Sequence, residues 1–283
     1  SPYIQDILAQ PGALRIALQN FPNEKLEEVK RKLQNHEIRK IILTGMGSSY
    51  NSAYAAFLEL QSLHIPSVLI NSAELLHYGF SAIDEKTLLC MNSQSGRSVE
   101  VVRIIEKLKN ARPKFQLSMT NYLDSPLAIR ADLAVDNHAG AEATVSTKTY
   151  INMTADLLLT AYLLTGKDWQ DLKKHMLSAA DSIEEYLNQW QERISRLDHL
   201  LGEVDKLIIL GRGTSMGAVW NGSLINKEAA KSTFEGMNSA DFRHGPLELV
   251  DEKFTAIVFE GAEKTAKLNY EIALEVKNLK GKV

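Results

Sequence analysis

A chain of 283 residues, 45% of them hydrophobic, is long enough for one large or two small domains. Its formal net charge is only -3, with acids and bases interspersed and no basic block, which argues against a nucleic-acid surface. No run approaches the ~20 apolar residues of a membrane span, so a membrane partner is not expected either.

Cys90 is the single cysteine and lies in an apolar run, so no internal disulfide can form. A reducing compartment fits, and a buried core thiol is expected rather than a nucleophile. No signal-peptide pattern opens the chain, and the first residue is Ser, which suggests trimming of the N-terminus. The expected location is the cytoplasm.

Helix and strand patterns alternate. Residues 1–36 read as a helical segment, with an amphipathic helix over 24–36. Residues 38–44 (IRKIILT) read as a strand, 50–63 as a helix, 68–71 as a second strand, and a short helix starts at Ala73. A third strand is expected at 88–92, a helix at 99–110, and short apolar strands at 115–120 and 133–135. Long helical patterns cover 147–165 and 168–200, and a strand returns at 207–210. Short apolar strands separated by helices indicate a parallel sheet covered on both faces.

The second half echoes the first. IILTGMGSS at 41–49 matches IILGRGTS at 208–215, pairing Gly45 with Gly211, Gly47 with Gly213 and Ser49 with Ser215 at an offset of 166. Asp84-Glu85-Lys86 matches Asp251-Glu252-Lys253 at an offset of 167. The fold class expected is therefore α/β, a tandem duplication of one doubly wound parallel-sheet subdomain. The expected divisions are 1–36, a first subdomain at 37–166, linking helices at 167–203 and a second subdomain at 204–283. The first copy runs about 100 residues past its glycine turn and the second about 70, so a missing C-terminal segment is expected.

The stretch Ser93-Gln94-Ser95-Gly96-Arg97-Ser98 joins a strand to a helix. In a parallel α/β sheet, ligands sit beyond the carboxyl ends of the strands, and a helix N-terminus favours an anion. Ser93, Ser95 and Ser98 bring hydroxyls, Gln94 an amide, and Gly96 permits close backbone approach. A helix cap needs one serine only; this surplus suits a phosphate monoester. Gly45-Met46-Gly47-Ser48-Ser49 occupies the same context. It lacks the third glycine of a dinucleotide fingerprint, and no suitably placed acid follows the second strand, so no dinucleotide is expected. Ser48 or Ser49 could contact sugar or phosphate, or the glycines could serve a tight turn alone.

Thr144-Val145-Ser146-Thr147-Lys148 precedes an apolar helix and by itself reads as an N-cap. Glu228 and His244 lie sixteen residues apart. Together they could move protons, Glu as base and His as acid. Singly they read as a solvated helix residue and a loop residue.

Taken together, GMGSSYNSA, SQSGRS, TVSTK and LGRGTSMGAVWNGSLINKEAAKSTFEGMNSADFRHGPLELVD resemble the sugar isomerase (SIS) domain family, in particular the isomerase half of the glucosamine-6-phosphate synthases. The resemblance runs from about Gln10 to Phe259. It implies tandem SIS subdomains of flavodoxin-like three-layer αβα form. It implies phosphate contacts from Ser93, Gln94, Ser95 and Ser98, and sugar contacts from Ser48, Ser49 and Ser146. Glu228 would correspond to the acid/base acting between C1 and C2. His244 would correspond to a ring-opening histidine supplied by a neighbouring subunit, which implies a homodimer or higher homo-oligomer with shared sites.

Arg97 stands where a glutamate is common and would make the loop rim more positive. Three departures matter. No glutaminase segment with an N-terminal cysteine precedes this chain, so glutamine-dependent synthesis is not expected of it. Ile225-Asn226-Lys227-Glu228 replaces a Lys-Leu-Lys-Glu pattern. A C-terminal tail lysine of the family has no counterpart before the chain stops.

The function expected is aldose–ketose isomerisation, deamination of an amino-sugar phosphate, or both, with no metal and no other cofactor. The alternatives are a fructosyl-amino-acid phosphate deglycase and a non-catalytic phosphosugar sensor.

Overall fold

The structure is a computed structural model that describes residues 1–109, 112–143, 145–204, 206–261 and 264–283. Asn110, the end of an expected helix, and Thr144, the start of the TVSTK stretch, lie outside the described residues. The chain forms two compact units, Ser1–Glu184 and Glu185–Val283.

The first unit opens with helices α1 (Pro2–Leu8), α2 (Gln10–Gln19) and α3 (Asn23–Gln34). Strands β1 (Lys40–Gly45), β2 (Ser67–Asn71), β3 (Thr87–Asn92), β4 (Phe115–Thr120) and β5 (Leu133–Asp136) form one parallel sheet of order β2-β1-β3-β4-β5. Between them run α4 (Gly47–Asn51), α5 (Tyr54–Leu60), α6 (Ser72–Glu74), α7 (Val99–Lys107) and α8 (Pro126–Arg130), followed by α9 (Lys148–Thr165). The helix expected over 50–63 is broken at Ser52-Ala53. Helix α10 (Trp169–Asn188) and helix α11 (Trp190–Leu201) replace the single pattern expected over 168–200, with the break at Gln189.

Strands β1 and β3 carry apolar residues on both sides because both faces are covered. Ile41, Leu43, Leu88 and Cys90 pack with Leu18 and Val29 of the N-terminal helices and with Leu157 and Leu159 of α9. The alternate residues Ile42, Leu89 and Met91 pack with Ile104 and Ile105 of α7 and with Leu75 and Leu127. The result is three layers, helix–sheet–helix, as the period of two along each strand requires.

The second unit holds β6 (Lys206–Gly211), α12 (Met216–Ile225), β7 (Glu235–Asn238), α13 (Ser239–Arg243), β8 (Phe254–Val258) and α14 (Ala266–Asn278). Its parallel sheet has the order β7-β6-β8, which reproduces β2-β1-β3. Ile208, Leu210, Phe254 and Ala256 pack with Phe242, Ile272 and Val276.

The repeat extends to side-chain detail. Lys40 pairs with Asp84 at 2.9 Å, and Lys206 pairs with Asp251 at 2.6 Å. Both carboxylates are held below the usual range, first by their lysine and then by a backbone N–H two residues on. After the second strand of each repeat, Asn71-Ser72-Ala73-Glu74 and Asn238-Ser239-Ala240-Asp241 stand 167 residues apart. Asn71 Oδ1 accepts from Ala73 N at 2.9 Å, and Asn238 Oδ1 accepts from Ala240 N at 2.8 Å. The chain is thus an α/β protein of two parallel sheets with flanking helices, a tandem repeat of αβα subdomains. No helix among the described residues is long and apolar enough to cross a membrane.

Candidate functional site

Strand order reverses direction between β1 and β3, so the loops after these two strands leave their shared crevice on opposite sides. The first loop carries Ser48 and Ser49, and the second carries Ser93, Gln94, Ser95 and Ser98. The structure therefore brings these six predicted residues to one edge of one sheet. The turn after β1 is tight: a Cβ on Gly45 would lie 2.9 Å from the Ser49 carbonyl and from Tyr50 N. Only glycine lets α4 fold back this closely.

The 93–98 loop is braced by the turn that follows β4. Ser93 N donates to Met119 O at 3.0 Å, and the Gln94 carbonyl accepts from Asn121 N at 3.0 Å and from Thr120 Oγ1 at 3.2 Å. Gly96 has a φ of 60°, and its space is filled by Ser125 and Thr120. Ser93 Oγ accepts from Gly96 N at 3.2 Å, and Ser95 Oγ accepts from Arg97 N at 3.2 Å, so both hydroxyl protons are left to serve as donors. Ser98 occupies the N-cap of α7 in an extended conformation, yet its side chain makes no capping hydrogen bond. A serine kept for capping would bond to the N–H two or three residues on. Backbone N–H groups, three hydroxyls and a helix N-terminus thus converge on one loop, an arrangement suited to a tetrahedral dianion.

Arg97 does not project as a free charge at the rim. Its guanidinium pairs with Asp124 Oδ2 at 3.0 Å, donates to Ser95 O at 3.2 Å and stands 5.8 Å from the Tyr122 ring centre. The extra positive charge expected there is balanced by Asp124, a residue the linear sequence does not place near it.

Ser146 precedes α9, beyond the carboxyl end of β5. The N-terminus of α9 is capped by Glu142, which sequence reasoning missed. Its Oε1 accepts from Thr147 N at 2.7 Å and from Thr147 Oγ1 at 2.8 Å, and its Oε2 accepts from Thr149 Oγ1. Lys148 pairs with Asp6 at 2.9 Å and donates to Ala141 O at 2.6 Å. Neither Thr147 nor Lys148 is therefore spare; both fix the segment that presents Ser146. An acid a few residues ahead of Ser-Thr-Lys was the available signal.

Behind this end of the sheet, Asp156 is 1% exposed and accepts from Asn137 Nδ2 at 3.0 Å. Burial raises its carboxyl to about 7, with nearby Asp136 adding to the effect and the Asn137 bond opposing it. Cys90 is buried, and burial pushes its thiol up to about 12, so it is a core residue.

Glu228 and His244 belong to the second unit. Helix α12 ends in a π-helical turn, Asn226–Ala230, which carries Glu228 on its exposed side and closes at Lys231 with a φ of 55°. His244 is the exposed C-cap of α13. Helix α13 is held by the Asn238 cap, by Phe242 stacked on Phe254 at 5.8 Å, and by Arg243, which bonds both carboxylate oxygens of Glu275 at 2.9 and 2.6 Å. Among the described residues no group of three or more His, Cys, Asp or Glu side chains could hold a metal ion.

Residues 36–164 match the family described as SIS domain. The chain is 27% identical over 268 residues to the glutamine–fructose-6-phosphate aminotransferase [isomerizing] of Sulfurisphaera tokodaii, covering 94% of this chain and 44% of that protein. It thus spans less than half the length of such relatives. Its fold superposes on the C-terminal domain of glucosamine-fructose-6-phosphate aminotransferase from Francisella tularensis with a TM-score of 0.79 at 19% identity, covering 99% of this chain and 82% of that one. It also superposes on glucosamine-6-phosphate deaminase from Thermotoga maritima with a TM-score of 0.78 at 22% identity, covering 100% and 84%. Residues 36–164 thus form a SIS domain. Over most of its length the chain is similar in sequence to glutamine–fructose-6-phosphate aminotransferases, and its fold is that of the C-terminal domain of one such protein.

Proposed function

We propose that the protein binds an amino-sugar phosphate of the glucosamine-6-phosphate or fructose-6-phosphate type and catalyses its aldose–ketose isomerisation, with or without loss of ammonia. The observation that carries this reading is the 93–98 loop, where Ser93 and Ser95 keep donor protons and Ser98 is not spent on the helix cap. Ser93, Gln94, Ser95 and Ser98 hold the phosphate, and Ser48, Ser49 and Ser146 contact the sugar. Anchoring the phosphate supplies binding energy remote from the reacting carbons.

The chemistry is a proton shift. The His244 imidazole, supplied by a neighbouring subunit of a homo-oligomer, takes the ring hydroxyl proton and returns it to the ring oxygen as the pyranose opens. The Glu228 carboxylate removes the C2 proton of the open aldose and delivers it to C1, while a proton leaves the C2 substituent and one reaches O1. With a hydroxyl at C2 the product is the ketose. With an amine at C2 the product is an imine, which takes up water and releases ammonia. A cytoplasmic setting fits the single buried thiol.

The test is to incubate the protein with hexosamine phosphates and fructosyl-amino-acid phosphates and assay ammonia, free amino acid and isomerised sugar. Ammonia or isomerised sugar supports this reading. Free amino acid would make the protein a deglycase, and tight binding without any product would make it a phosphosugar sensor.

A further inference from the structure

The spacing of 167 residues that relates the two repeats also pairs His77 with His244. Both follow the second strand of their repeat, both come six residues after the capping asparagine, and both are exposed. The residue before each histidine is tied to the helix after the repeat's third strand. Lys107, at the end of α7, donates to the Leu76 carbonyl at 2.9 Å, whereas Glu275 of α14 grips the Arg243 side chain. One tie is a cation on a carbonyl and the other a carboxylate on a guanidinium. The chemistry of the clamp has diverged while the clamped position has stayed.

His77 lies in a π-helical turn, Leu75–Gly79. Leu75 and Leu76 are buried in the core, so the turn is anchored on one side and presents His77 and Tyr78 on the other. Tyr78 is 82% exposed, and the two rings meet edge to face at 6.4 Å. Single π-helical turns of this kind recur at functional sites. The turn belongs to the ligand edge of the first sheet. Strand β2 neighbours β1, and the Ser72 and Thr44 hydroxyls bond at 3.0 Å beneath the glycine turn. Two strand spacings, about 10 Å, separate the ends of β2 and β3. An open-chain hexose phosphate held at the 93–98 loop covers such a distance.

We propose that His77 is a second ligand-facing histidine. It exchanges a hydrogen bond with the hydroxyl or amine end of a sugar phosphate whose phosphate sits at the 93–98 loop. An imidazole suits the task because one ring nitrogen donates while the other accepts. This inference rests on the sugar-phosphate reading above.

The test is imidazole NMR of the full chain with labelled histidines, the His77 signal being assigned by its loss in His77→Gln. Glucosamine 6-phosphate should shift the His77 signal saturably, and inorganic phosphate should leave it in place. In calorimetry, His77→Gln should weaken glucosamine 6-phosphate by about 5-fold or more and leave inorganic phosphate affinity unchanged. If the sugar phosphate binds and the His77 signal does not move, the assignment of His77 fails while the phosphate loop stands. A shift produced equally by inorganic phosphate also overturns it, because the phosphate rather than the sugar would then lie at His77. If the wild-type protein binds neither ligand, the sugar-phosphate reading itself is overturned, and His77 with it.

Discussion

Gly96 and Ser125 share one space: a Cβ on Gly96 would stand 2.1 Å from Ser125 Oγ and 2.6 Å from its Cβ. Ser125 cannot easily withdraw, because its hydroxyl caps α8 by accepting from Ala128 N at 3.3 Å. Gly96→Ala therefore meets two penalties. The left-handed backbone costs about 1–2 kcal/mol, and the overpacking adds about 1–3 kcal/mol. We expect a lower midpoint in chemical denaturation and at least a tenfold weaker sugar phosphate. Unchanged affinity in this variant would show that the shape of the loop does not matter to binding.

Replacing Ser93 and Ser95 together by alanine removes two hydroxyl donors and little packing. Gly96 N still donates to Ser93 O at 3.1 Å, so the turn keeps a backbone bond. Hydrogen bonds to a charged group are worth about 1.5–3 kcal/mol each. Calorimetry should show a loss of that size for a sugar phosphate, with stability close to wild type. Full affinity in the double variant would remove the loop from the site.

Asp156 gives stability a definite pH dependence. Its folded carboxyl is raised to about 7 from 3.8, chiefly by burial. Between those values the folded chain keeps a proton that the unfolded chain releases. Stability from this group is therefore complete below about pH 4 and declines as pH rises towards 7, by up to about 4 kcal/mol. Asp156→Asn keeps an acceptor for Asn137 and cannot ionise. Urea midpoints at pH 5 and pH 8 should differ less in the variant than in the wild type, and the variant should be the more stable at pH 8. Equal pH dependence in both proteins would mean that Asp156 titrates as an ordinary carboxylate.

Glu275 reaches the proposed chemistry only through Arg243, whose two bonds to it fix the end of α13 next to His244. Glu275→Gln keeps one acceptor and loses the charge and the second contact. Turnover should fall about tenfold with little change in KM. Glu275→Asp should recover part of the loss. A variant that merely melts earlier, with unchanged turnover, would reduce Glu275 to a structural residue.

The sequence made some of this legible for identifiable reasons. Strands β1 and β3 are apolar on both faces, so 38–44 and 88–92 stand out as short apolar runs, while β4 shows as an alternation of apolar Phe115, Leu117 and Met119 with polar residues. The ligand loop stands out because serines and a glycine separate such a run from a helix. Strand β7 does not stand out: Glu-Gly-Met-Asn contains no apolar run, and β7 is an edge strand. Its Gly236 reflects close packing, since a Cβ there would lie 2.5 Å from the Val219 carbonyl of α12. The break at Gln189 is hidden because the apolar period continues through Trp190, Ile194 and Leu197. Asp124 acts on Arg97, which only the fold brings to it, whereas Glu142 caps a helix start five residues on, so its signal was local. His77 was within reach, since Asn-Ser-Ala-Glu and Asn-Ser-Ala-Asp share the offset of the Asp-Glu-Lys turns.

The central claim is that a carboxylate at Glu228 moves a proton between two sugar carbons. Solvent deuterium entering glucosamine 6-phosphate or fructose 6-phosphate reports that step directly, even where little net product forms. In D₂O the wild-type protein should place deuterium at C1 or C2. Glu228→Gln, an exposed and nearly isosteric change, should still bind the sugar phosphate but exchange about 10²–10⁴-fold more slowly. Exchange at the wild-type rate in Glu228→Gln, with binding intact, would contradict the account.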